Sequence, residues 1–104
     1  MKHERENMTD VIVGYCRMEL YLAGVTSLKE KRSILKSMLA RMRQRFNVSA
    51  AEVGKNDMHQ AAVIAFATVS NSMRHVQETL DTVEHWIEET CHDVMVSAHE
   101  IEIL

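Results

Sequence analysis

The chain has 104 residues, 46% hydrophobic and 26% charged, with a net charge of −3, which fits one globular domain with a real core. No apolar run approaches the roughly 20 residues of a membrane-spanning helix, and MKHERENMTD lacks the apolar stretch of a signal peptide. Cys16 and Cys91, few and far apart, are expected as reduced, buried thiols of a cytoplasmic protein.

Residues 1–9 are polar and unpatterned, which predicts a disordered N-terminal extension before a single domain at 10–104. Val11 to Leu22 reads as a strand. Ile12, Gly14, Cys16, Met18, Leu20 and Leu22 form its apolar, core-facing side. Ser27 and Glu30 have the spacing of a capping box. A helix follows from Leu28 to about Arg45, with Leu28, Leu35, Met38, Leu39, Met42 and Phe46 on one face.

Val48 to Val53 is predicted as a short second strand, and GKNDMHQ as a hairpin loop. Ala61 to Ser70 is a third strand, apolar on both sides, so it should be central and covered twice. Ser70, Asn71 and Ser72 supply the next cap. Met73, Val76, Leu80, Val83 and Ile87 then mark a second helix, and Val94 to Leu104 the last strand. The order is β-α-β-β-α-β. This is an α+β, ferredoxin-like arrangement: a four-stranded antiparallel sheet with two helices on one face. The absence of proline and the three glycines leave little material for a linker.

SLKEKR (Ser27 to Arg32), RFNVSAAEVG (Arg45 to Gly54) and TVSNS (Thr68 to Ser72), with the opening VIVGYCRMEL, resemble the YlxP-like family of small bacterial proteins, across about Asp10 to Leu104. That resemblance implies a ferredoxin-like fold in a domain family of unknown function. The family's genes commonly neighbour those for translation initiation and ribosome maturation, which implies an RNA- or ribosome-linked role.

Charge is unevenly spread. Seven of the twelve Lys and Arg fall between Lys29 and Arg45, while His75 to Leu104 holds eight acids and no Lys or Arg. On a helical wheel Lys29, Arg32, Lys36 and Arg43 cluster within about 60° beside the apolar stripe. Asp81, Glu84 and Glu88 flank the second helix's stripe in the same sense. Right-handed crossovers make the helices antiparallel and turn both flanks outward, so the basic one should be free to meet an anionic partner, RNA or a ribosomal subunit. A solvated helix face is the plain competing reading. Between the helices, Trp86 should pack near Ile34, with room for an Arg over the indole.

One other surface competes, with two readings. Tyr15, Arg17 and Tyr21 lie on the open sheet face and would serve a homodimer or another protein partner. The tyrosines could alternatively stack a base, although the paired central-strand aromatics of RNA-recognition modules are absent and Phe66 stands alone. The six histidines include no His-x-x-x-His pair, and Cys91-His92 lacks a second cysteine, so spacing predicts no metal site and no cofactor. Glu52, Asp57 and His59 read as hairpin polarity. No nucleophile, base or phosphate-loop constellation is present, and the chain reads as a non-enzyme.

Overall fold

The computed structural model describes residues 10–104; the predicted disordered extension, 1–9, lies outside them. The elements are β1 (Ile12–Tyr21), α1 (Leu28–Arg45), β2 (Ser49–Gly54), β3 (Ala61–Ser70), α2 (Met73–Thr90) and β4 (Met95–Ile103). They form one four-stranded sheet in the order β2-β3-β1-β4, antiparallel throughout. This is the ferredoxin-like βαββαβ fold expected from the sequence.

Alternation on the two central strands sets the core. Cys16, Met18 and Leu20 of β1 and Ala62, Ile64 and Phe66 of β3 are buried beneath the helices. The helices supply Leu35, Met38 and Met42 from α1 and Val76, Leu80, Val83 and Ile87 from α2. Gly14 is where α2 presses on β1: a Cβ there would lie 2.6 Å from Val76 Cγ1 and 3.3 Å from Leu80 Cδ1. β3 is central, as predicted, but its second face has no covering layer among the described residues. Val63 is buried there, Ala65 and Ala67 half-buried, and Val69 exposed.

The caps follow the sequence with small changes. Ser27 Oγ accepts from the Glu30 N–H at 3.1 Å. The Glu30 carboxylate reaches one residue further back than a capping box requires and accepts from the Thr26 N–H at 3.1 Å. Ser72, not Ser70, caps α2, its Oγ accepting from the His75 N–H at 3.2 Å. Ser70 Oγ accepts the Ser72 N–H and shapes the turn before it. Two register shifts break the ladders. One, between Glu52 and Gly54, leaves Glu52 opposite Ile64 on the core side. The other sits where Glu19 meets β4, and there the Ser97 hydroxyl donates to Glu19 O.

Candidate functional site

Basic side chains on α1 meet three different fates, set by their position around the helix. On its inner side Arg41 lies 5.6 Å from the Trp86 ring centroid, and Arg45 lies 5.9 Å from that of Phe46. Phe46 meets Trp86 edge to face at 5.7 Å and 76°. The expected arginine over the indole is present. The stacking partners of Trp86 lie further along α1 than Ile34, because helical side chains lean toward their own N-terminus. In an antiparallel pair, that lean carries Trp86 toward the C-terminal end of α1. Ile34 lines a small cleft with His92 and Val94.

The second fate is burial. Lys31 is 0% exposed, and its Nζ donates to three carbonyls of the β2–β3 hairpin: Lys55 O at 2.7 Å, Met58 O at 2.7 Å and Ala61 O at 2.8 Å. An ammonium has three protons, and all three are used. Glu52 Oε2 lies 3.1 Å from the same nitrogen but outside hydrogen-bond geometry, so it contributes charge without receiving a proton. Lys31 thus leaves the basic surface and becomes the anchor of the hairpin. It lines up with Leu35, Met38 and Met42 at steps of four, three and four, and a lysine in the apolar stripe was the sequence signal for this role. Glu52, pledged to Lys31, is no partner for Asp57 or His59, which are both exposed.

The third fate is the outer flank, over the β2 edge. Lys29, Arg32 and Lys36 are exposed there, with no ionic partner among the described residues. Arg43 shares the flank. Its Nη1 donates to Ala50 O at 2.8 Å, sealing one carbonyl of edge strand β2, and the rest of its guanidinium faces water. The four residues grouped by the wheel are therefore on one side, three of them unengaged.

On the open sheet face, the Tyr15 hydroxyl donates to Glu102 Oε1 at 2.6 Å, and that acceptor raises the phenol's pKa above its ordinary 10.0. Arg17 Nε donates to Glu100 Oε1 at 3.2 Å, and its Nη1 lies 3.7 Å from Glu19. Tyr21 stands 43% exposed at the other end of the strand. Six residues of strand put roughly 20 Å between the two tyrosines, so they do not form one stacking platform. Beside Tyr15, Ala51, Ala65 and Ala67 floor a shallow trough of about 180 Å³.

At the other edge, Glu84 is not free on the outer flank of α2 as the wheel suggests. It is buried and in contact with His99 Nδ1 of β4. Burial raises its pKa above the usual carboxylate value. Burial, followed by the Glu84 charge, pushes the neighbouring Cys16 thiol up to about 12, so it is protonated at neutral pH and inert as a nucleophile. Cys91 is also a free, buried thiol. His85 Nδ1 lies 3.1 Å from Asp81 O, a bond that raises its pKa.

None of the described helices is long and apolar enough to cross a membrane. Among solved structures, the de novo designed protein Foldit4 superposes with a TM-score of 0.52 at 9% identity, over 91% of this chain and 97% of that one, a likeness of fold alone. Protein SO0527 from Shewanella oneidensis superposes with a TM-score of 0.46 at 14% identity, over 92% and 90% of the two chains. The uncharacterized protein YlxP of Bacillus subtilis (strain 168) is 35% identical over 77 residues, 74% of this chain and 84% of that protein. The profile of the family described as "Protein of unknown function (DUF503)" matches residues 13–101. With a match over most of its length and a YlxP relative of that identity, the chain belongs to the DUF503 family.

Proposed function

We propose that this is a non-enzymatic RNA-binding protein, associated with a ribosomal subunit during translation or ribosome maturation, which meets RNA with the outer flank of α1. One observation carries the reading: Lys29, Arg32 and Lys36 stay exposed and, among the described residues, without an ionic partner, while Lys31 is buried and Arg41, Arg43 and Arg45 each contact an aromatic ring or a backbone carbonyl of the fold. The three cations span about 10 Å of helix, a length suited to phosphates of one strand. The acidic remainder of the molecule would keep other surfaces off a polyanion.

Sedimentation of cell lysate through sucrose gradients at low and high salt tests this. The wild-type protein should travel with a ribosomal subunit at low salt and leave it at high salt. The triple variant Lys29→Glu, Arg32→Glu, Lys36→Glu should remain at the top at both. Undiminished co-sedimentation of the triple variant would remove the assignment.

A homodimer or other protein contact through the open sheet face, with no nucleic-acid role, is the second reading, favoured by the exposed Val53 and Val69 beside the alanine trough. There Tyr15→Glu should abolish self-association in analytical ultracentrifugation, and the helix reversals should spare it.

A further inference from the structure

We infer that Cys16, Glu84 and His99 form a binding site for a divalent metal ion of the zinc class at the junction of β1, α2 and β4. The three side chains offer one sulfur, one carboxylate oxygen and one imidazole nitrogen, and these atoms lie within 4.8 Å of one another. Sheet register explains how residues so distant in sequence meet. Met18 pairs with His99 and Cys16 with Ile101, which sets His99 diagonally beside Cys16 on the helix-facing side. α2 crosses this pair and lays Glu84 over it.

Ligand chemistry selects the ion. Magnesium and calcium take all-oxygen shells, whereas mixed thiolate, imidazole and carboxylate donors suit zinc and its spectroscopic substitute cobalt. Three protein ligands leave a fourth position, and the geometry gives it a route to solvent. The Glu84 side chain is 11% exposed but that of His99 is 56% exposed, so an ion can enter past the imidazole and keep a water there. Asp81, Glu88 and His85 stand around the same flank of α2, and Asp81 and Glu88 deepen its negative field. As an apolar packing site the cluster is poor, since it buries a carboxylate against a thiol with one imidazole to compensate. A dication compensates both. On binding, the Cys16 sulfur–hydrogen bond breaks, sulfur keeps the electron pair as the metal ligand, and the proton goes to solvent.

Occupied, the site would clip edge strand β4 to α2, on the opposite side of the molecule from Lys29, Arg32 and Lys36. It does not depend on the RNA reading.

The test is a Co²⁺ titration of the purified, metal-free full chain. One equivalent should bind, with a thiolate-to-cobalt charge-transfer band in the near ultraviolet that Zn²⁺ abolishes. Cys16→Ala should remove the band, and Cys91→Ala should leave it. His99→Ala, at an exposed position that the core does not need, should weaken Co²⁺ binding at least about tenfold. A cobalt spectrum without a thiolate band overturns the inference. So does a band of unchanged affinity in His99→Ala, or one that disappears with Cys91 instead of Cys16.

Discussion

An ammonium whose three protons all end on carbonyl oxygens differs from one in water: removing it takes a donor from three acceptors at once. Lys31→Met would keep the apolar stem but take one donor from each of Lys55 O, Met58 O and Ala61 O, of which Lys55 O keeps the Met58 N–H at 3.1 Å, and would leave Glu52 without a countercharge. The expected loss is about 3–5 kcal/mol in urea unfolding, the range for breaking a buried pair from one side. Lys31→Arg should not rescue it, because a planar guanidinium does not aim three protons at three convergent carbonyls. Lys29→Ala, Arg32→Ala and Lys36→Ala should each stay within about 0.5 kcal/mol of wild type. Four residues separated in sequence by at most seven positions thus divide into one anchor and an exposed set. At Tyr15 the hydrogen bond to Glu102 favours the protonated phenol. That contribution to stability is fully present below the ordinary tyrosine pKa of 10.0 and is lost as pH rises through the raised value. Ultraviolet titration should find Tyr15 ionising above 10.0, and Glu102→Gln should bring it back toward that value.

Between elements, Gly14 lies close against α2. The atom a Cβ would strike is Val76 Cγ1 at 2.6 Å, and a β-branched side chain in a helix has one strongly preferred rotamer with which to move away. Gly14→Ala should therefore cost about 1–3 kcal/mol in thermal unfolding, and Val76→Ala in the same chain should return part of it. The sequence made the elements legible because each announces itself locally: β1 by alternation, α1 by Ser27 and Glu30, α2 by its stripe from Val76 to Ile87. Topology followed from their order and the handedness of crossovers. The outer flank of α1 was legible for the same reason, being a property of one helix. Lys31 was half-legible, since its place in the stripe of Leu35, Met38 and Met42 is visible while the carbonyls it meets belong to a hairpin more than twenty residues away. Cys16, Glu84 and His99 carried no signal at all. They come from three elements, and their meeting depends on the β1–β4 register and the height at which α2 crosses, neither of which any local pattern encodes. Phe46 as the edge-to-face partner of Trp86 went unread for a smaller reason, the direction in which a side chain leans.

Across the whole molecule, charge is separated by the fold as well as by the chain. α1 hangs its free cations over the β2 edge, while α2 and β4 carry the acids at the other side of the sheet. A protein of net charge −3 should accordingly bind a heparin column at neutral pH and low salt. Three phosphate contacts give a log–log salt slope of roughly −2 on the single-strand scale, and the triple reversal of Lys29, Arg32 and Lys36 should pass through unretained. The caged amine at Lys31 has a use in the same molecule. Reagents that acylate lysine react with a free amine that has water around it, so Lys29 and Lys36 should label at once and Lys31 only during moments when the β2–β3 hairpin swings off α1. Mass spectrometry of a labelling time course would then turn a single nitrogen into a clock for that opening, read against two neighbours on the same helix that serve as its controls.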